Sequence, residues 1–472
     1  MAPADSSPVD LVEAPVLERV LHQALRRGGD FAEVFVEDRS SSSIFLDDRK
    51  VEELSSGRDR GAGIRVVVGE TTGFAHTADL SETGLLNAAE AAAAVAREGG
   101  GGVHEVALSR QQPQRRQVTT PPNAVSKSDK VDLLLRADES SRSAGAAVVQ
   151  VSAGYGDSRR RILVANSEGL LADDDRVRTR FFVTCVASGD GGMQTGSESI
   201  AYTLGFDMFD DHPVEEAAKK AADRAITKLK ARPAPSGVLP VVLKRGSGGF
   251  LFHEACGHGL EADHILKDSS VYTGRVGQMV ASPGVTLVDD GTFGANWGAL
   301  VIDDEGRPTQ RNVLIQDGVL TEYMWDYLRA RKEGRASSGN GRRQSYEDLP
   351  MVRMTNTYLL AGEEDPDEIL AQTPKGIYVA QLGGGQVNTA TGDFVFGMTE
   401  AYLVENGRIA EPLRNANLIG NGPDVLSKID AIGNDFEMSP GTCGKDGQNV
   451  PVGCGQPTMR VSGITIGGTA SG

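Results

Sequence analysis

The chain has 472 residues, with 65 acidic against 48 basic side chains and a formal net charge of −17. That length calls for at least two domains at roughly 100–200 residues each, and the diffuse negative field argues against a chain whose main task is gripping nucleic acid or anionic lipid. Four cysteines are too few for a disulfide scaffold, the first ten residues have neither a basic segment nor an apolar one, and no apolar run reaches the roughly 18 residues of a membrane span, so a cytoplasmic protein is expected.

The elements follow in chain order. Leu11, Val12, Val16, Leu17, Val20, Leu21 and Leu25 form one stripe, which predicts a helix over 11–27 stopped by Gly28-Gly29. Short strands are expected at 32–37, 42–46, 63–68 and 72–76, and an Ala-rich helix over 80–97 runs into four glycines at 99–102. A third helix is predicted over 128–142 with Ser128 as its N-cap, then strands near 146–155, 161–164, 177–186 and 197–204. A fourth helix over 213–230 has acids early and lysines late, which suits the helix dipole.

Two prolines and a glycine follow, and the character changes. We divide the chain there: an N-terminal α+β domain over 1–231, a linker over 232–237 and a β-rich C-terminal domain over 238–472. Strand-like runs dominate the second part, and Asp317-Gly318 and Asn406-Gly407 read as hairpin turns. The fold class expected is α+β, with antiparallel sheet and helices in the first domain and the chemistry on a short helix of the second.

Only seven histidines occur, and His253, His258 and His264 lie close together. In His253-Glu-Ala-Cys-Gly-His258 a carboxylate adjoins the first of two imidazoles. Two neutral imidazoles can hold a metal, and an adjacent carboxylate can take a proton from water, as a zinc hydrolase requires. The spacing is i, i+5, which leaves the two rings about 140° apart on a regular α-helix. A π-bulge would restore a common face, and Gly257 is the natural place for that distortion or for ending the helix before His258. Cys256 points to the wrong face if both histidines bind. Cys443 and Cys454, each in a glycine-rich segment, are the distant choices for a third ligand, and spacing does not separate them. Cys185, in an apolar strand, reads as a core thiol. Glu261 and His264 form a second carboxylate–histidine pair, more simply read as a helix surface.

Two further stretches point to ligand binding. Gly383, Gly384, Gly385, Gln386 and Val387 follow a strand and would offer backbone groups to an extended peptide adding to a sheet edge. Arg342 and Arg343, beside a turn, could anchor a substrate carboxylate.

These residues stand in a pattern that resembles the TldD/PmbA family of metalloproteases, in its metal-site-bearing form. The resemblance rests on 253–261 and on Val288-Asp-Asp-Gly291, Ile302-Asp-Asp-Glu-Gly306, Gly339-Asn-Gly-Arg-Arg343 and Met354-Thr-Asn-Thr-Tyr358. It continues through Gly383-Gly-Gly-Gln-Val387, Val404-Glu-Asn-Gly407, Gly433-Asn-Asp435 and Cys443-Gly-Lys-Asp-Gly-Gln448. It is dense from about 240 onward and looser before. It implies one Zn2+ held by His253, His258 and Cys443, with Glu254 as general base. It also implies a hollow dimer, with a TldE/PmbA-type paralogous subunit or with itself, that admits unfolded or short peptides such as leader or antitoxin-type peptides. The expected activity is therefore that of a zinc-dependent peptidase. The competing reading is a peptide-binding, chaperone-like subunit whose zinc is structural, with Cys256 or His264 as an extra ligand; a zinc amidase on small substrates is a third.

Overall fold

The computed structural model describes residues 9–96, 106–111, 116, 118–190 and 192–469; Arg97 and the glycine run at 99–102 lie outside them. The α+β class is observed.

Helix α1 (Ala14–Leu25) buries Leu17, Val20, Leu21, Ala24 and Leu25, the stripe read from the sequence, and Gly28 beyond it takes φ 93°. Two long strands follow, β1 (Phe31–Asp47) and β2 (Lys50–Val68), joined by Asp48-Arg49 with φ of 45° and 69°, then β3 (Thr71–Thr77). The sequence predicted shorter pieces. The ladder runs unbroken through Ser40↔Arg58, Ser41↔Gly57 and Ser42↔Ser56, where no apolar residue alternates and periodicity carries no signal. Helix α2 (Glu82–Ala96) precedes α3 (Lys127–Ser143). The cap of α3 is Ser126, not Ser128: its Oγ accepts from Asp129 N at 3.1 Å, because Ser126 holds the extended conformation that a capping oxygen needs.

The same lengthening applies to β4 (Val148–Asn166) and β5 (Leu170–Gly189), whose middles carry charged runs, and β6 (Gly192–Tyr202) pairs with β5. One sheet results, in the order β3-β2-β1-β4-β5, with β6 and a short strand at Ser109–Arg110 both on β5. Helices α1 and α2 cover one half of it over a core that includes Leu17, Leu21, Val34, Ile64 and Leu163. Helices α3 and α4 (Val214–Leu229) cover the other half over Leu133, Leu134, Phe181, Val183 and Ala221.

The linker is anchored: Arg232 and Pro233 pair in parallel with Leu413 and Arg414 of the second part. That part begins with β7 (Gly237–Leu243) and a one-turn helix α5 (Gly249–Phe252). Then come β8 (Leu287–Asp290), β9 (Arg311–Gln316), β10 (Asn356–Leu359), β11 (Lys375–Val387), β12 (Asp393–Glu405) and β13 (Arg408–Arg414). Strands β14 (Asn417–Asn421), β15 (Ile429–Ile432), β16 (Glu437–Lys445), β17 (Gln448–Gln456) and β18 (Met459–Gly467) complete it. Both predicted hairpin turns form, with positive φ at Asp317, Gly318, Asn406 and Gly407.

Strand β11 pairs with both β7 and β12, which closes β11-β7-β18-β14-β12 into a ring. A second sheet runs β9-β8-β10-β17-β16. The helical segment after β7 is wedged between ring and sheet, in the largest core, with Leu251, Phe252, Leu260, Tyr272 and Met354 fully buried. Buried ion pairs tie the two parts together: Arg65 Nη2 donates to Glu33 at 2.8 Å and to Glu305 at 2.9 Å, and Arg176 reaches Asp174 and Asp304.

Candidate metal centre

Glycine sets the position of the helical segment. An ideal Cβ on Gly249 would lie 2.2 Å from Gly455 N and 2.5 Å from the Cys454 carbonyl carbon, so α5 rests directly on the backbone of β17. The helix then widens over His253–Gly257: the amide of His258 donates to the carbonyl of His253, an i→i+5 bond that marks a π turn. Gly257 lies inside it, with Met354 Sδ 2.2 Å from where a Cβ would stand. The extra residue turns both imidazoles to one side, their ring centroids 4.9 Å apart at 83°.

Strand β16 brings the third group. Cys443, Val450, Val452 and Cys454 share the face of the β16–β17 hairpin that packs on Phe250. Cys443 Sγ lies 3.4 Å from His258 Nε2, and one donor atom each from His253, His258 and Cys443 fall within 4.8 Å of one another. All three side chains are buried. Cys454 lies against His253 but is not part of this three-donor group.

The surroundings tune these groups. His258 Nδ1 is 3.0 Å from Glu261 Oε2; as an N–H donor there it leaves Nε2 to face the thiol. Lys445 Nζ donates to Glu261 at 2.8 Å, to Asp263 and to the carbonyl of Val352. Burial alone would raise the Glu261 carboxyl, but Lys445 and His258 hold it well below the usual carboxylate range. Burial opposes charge on His258 too, yet Glu261 and Cys443 push it up to about 9. The Cys443 thiol, despite burial, is brought down to about 4 by His253 and His258. Cys256 and Cys454 go the other way, raised by burial, and Cys256 Sγ donates to the carbonyl of Phe252. An ionised thiolate against two imidazoles, with His253 Nδ1 buried and unpartnered, is a donor set that fits one divalent cation.

Glu254, between the two histidines, is half-buried, and its charge is felt at Cys454. Glu261, Asp263 and His264 also bring donor atoms within 4.8 Å of one another, but both carboxylates are ion-paired with the Lys445 ammonium. Gly383 to Val387 belong to β11 rather than to a loop. Gly385 to Val387 pair with β12 through Gly385↔Phe396 and Val387↔Phe394, Gly383 and Gly384 fall in a register shift, and pairing with β7 ends at Val379, so among the described residues no strand pairs with the other edge of this stretch.

The expectation for Arg343 is corrected. Its side chain is fully buried and its charge is taken up by Glu33, so it is an internal ion-pair residue rather than a free anchor. Arg342 is also buried and donates to the carbonyls of Met354 and, at 2.7 Å, Pro451, with Nε unpartnered.

Sequence reasoning missed Glu261 as the partner of His258, although their i, i+3 spacing carried the signal, and Lys445, two residues after Cys443. It also missed Arg353, whose guanidinium donates to the carbonyl of Cys443 at 2.5 Å. Several motif residues hold backbone in place instead: Asp289 accepts from Asn340, Thr355 and Thr357, all buried.

A thiolate and two imidazoles beside a glutamate, on an α+β scaffold, are groups from which a metallopeptidase centre can be built. Residues 32–96, 120–229 and 236–468 match domain 1, the central domain and the C-terminal domain of the PmbA/TldA metallopeptidases. The chain belongs to this PmbA/TldD family. It is 40% identical over 452 residues to the metalloprotease TldD homolog of Haemophilus influenzae, covering 94% of each chain. It is 28% identical over 456 residues to the zinc metalloprotease TldD homolog of Saccharolobus solfataricus, covering 95% of this chain and 99% of that one. The fold matches crystalline TldE of Thermococcus kodakarensis with a TM-score of 0.77 at 19% identity, over 96% of this chain and 99% of that one.

Proposed function

We propose that this chain is a zinc-dependent peptidase acting on unfolded or short peptides, leader or antitoxin-type peptides among them. The observation that carries the reading is the convergence of His253, His258 and Cys443 donors within 4.8 Å from two separate elements. His253, His258 and Cys443 would hold the ion, which when bound supplies Lewis acidity toward a carbonyl and toward water. Glu261 fixes the tautomer and tilt of His258. Glu254 accepts the proton of the attacking water as the new C–O bond forms. It returns that proton to the amine nitrogen as the C–N bond breaks. The open edge at Gly383–Val387 hydrogen-bonds the peptide backbone, which gives broad sequence selectivity. The family relationship and the shared fold of TldE support a dimer with a TldE/PmbA-type subunit, or with itself, around an enclosed cavity.

Glu254→Ala is expected to retain zinc and lose peptide cleavage; undiminished cleavage would remove Glu254 as the base. Cys454 beside His253 favours one second reading, a closed four-ligand zinc in a peptide-binding subunit. Cobalt substitution separates the two: a visible spectrum insensitive to added anions and inhibitors supports the closed site.

A further inference from the structure

A cavity of about 320 Å³ lies where the N-terminal sheet meets the β16–β17 hairpin. Seven arginines line it, Arg39, Arg160, Arg176, Arg178, Arg180, Arg342 and Arg343 being set against a single acid, Asp157. Asp157 is itself held by Lys130 Nζ at 2.6 Å. Three of the arginines have carboxylate partners: Arg160 with Glu37, Arg176 with Asp174 and Asp304, and Arg343 with Glu33. Among the described residues, Arg39, Arg178, Arg180 and Arg342 form no ion pair.

Arg178 is the telling one. It is buried, 7% exposed, donates Nε to the carbonyl of Trp297 at 3.3 Å and leaves Nη2 with no partner. Burial and the charges of Arg342, Arg176 and Arg160 all press it toward losing its proton. Arg342 Nε is likewise buried and unpartnered. Like charges gathered in a low-dielectric pocket are unfavourable until an anion enters. Forked guanidinium donors match a carboxylate, which accepts two parallel N–H bonds. Arg39 and Arg180, both exposed, extend the positive lining to the surface.

The position of the cavity says what brings the anion. Thr442, Asn449, Val450 and Pro451 form one wall, and Thr442 directly precedes Cys443. Arg342 also donates to the carbonyl of Met354, whose sulfur packs under the π turn at Gly257. The net charge of −17 disfavours long polyanions, and the volume suits one or two residues rather than a nucleic acid. We infer that this cavity is a carboxylate-binding subsite of the peptide site, which takes an acidic side chain or the C-terminal carboxylate and directs the chain toward acidic peptides. The inference rests on the peptidase reading for its substrate, but not for its test.

Equilibrium binding of labelled peptides to the full-length Glu254→Ala protein tests it without turnover. Four peptides of one length would be used: Glu-rich or Gln-rich, each with a free or amidated C-terminus, at fixed ionic strength. The Glu-rich or free-ended peptides are expected to bind about ten-fold more tightly than their neutral counterparts, and inorganic phosphate to compete. Loss of the preference on amidation alone identifies the C-terminus as the source; loss with Gln alone identifies the side chains. Arg178→Gln is expected to erase the preference while leaving Gln-rich, amidated binding in place. Arg180→Gln, on an exposed side chain that forms no ion pair among the described residues, is expected to reduce it about three-fold. No preference in the parent protein, or a preference that survives both substitutions, overturns the inference. So does saturable phosphate binding that leaves peptide binding unaffected. Failure of the wild-type protein to cleave these same peptides would count against the peptidase reading alone, since the binding difference stands without it.

Discussion

At the scale of single residues, the centre separates two cysteines that spacing along the chain did not, in favour of the one the resemblance implied. Cys443 sits with both imidazoles and is ionised by them, whereas the Cys454 thiol is raised by burial. Cys443→Ala is therefore expected to lose bound zinc and Cys454→Ala to keep it, checked by metal analysis of the purified variants. Glu261 makes a second prediction. Replacing it with Gln removes the charge that both His258 and Lys445 rely on, and zinc affinity should fall about 10–100-fold, read by competition with a chromogenic chelator. The ligating residue types were legible in the sequence because His, Glu and Cys are rare and chemically specific. The residues that orient them were harder to read: the i, i+3 spacing of His258 and Glu261 carried a signal, whereas Arg353 looks like any other charged side chain until packing supplies its partner.

Among the elements, the five-residue π turn is the point where local pattern and chemistry coincide. The i, i+5 spacing does not suit a regular α-helix, and of the two ways out that the sequence offered, a π turn or a helix ending before His258, the structure takes the first. Strand lengths were the main failure. Serine and arginine runs in β1, β2, β4 and β5 have no apolar alternation, yet they are strand because their neighbours on both sides are paired. The glycine-rich stretch after Gln381 was legible as a place where backbone is accessible, but its membership of β11 was set by β12. Gly249 is the element-scale test. Its missing Cβ faces backbone, which no rotamer change can move aside, so Gly249→Ala should push α5 off β17. We expect a loss of roughly 1–3 kcal/mol in stability together with weaker zinc binding, measured by urea unfolding with and without chelator.

Across the whole molecule, the N-terminal sheet and the C-terminal part meet through buried charge as well as through an apolar cluster in which Phe35, Ile162 and Val164 pack with Ile302 and Tyr346. Asp304 is central, fully buried between Arg160 and Arg176. Burial would raise its carboxyl, but Arg160 and Arg176 hold it well below the usual range. A depressed folded value means that its contribution is complete above the unfolded value of about 4 and is lost as the pH falls through the folded one. Asp304→Asn should therefore cost stability at pH 7 and make unfolding less steeply pH-dependent below about pH 4, followed by urea titrations at several pH values. None of this contact was legible from the Ile302-Asp-Asp-Glu-Gly306 motif, in which Asp304 and Glu305 find arginines more than a hundred residues away.

The buried Glu33, Arg65 and Arg176 of the front half each answer an ionic group of the back half, namely Arg343, Glu305 and Asp304. Trimming the polypeptide at its proline-rich junction would strip those counterions away and leave naked formal charges on what had been an interior surface. The half that bears the histidines is thus no portable module: cut free, it would present Asp304, Glu305 and Arg343 without the partners around which that surface is arranged.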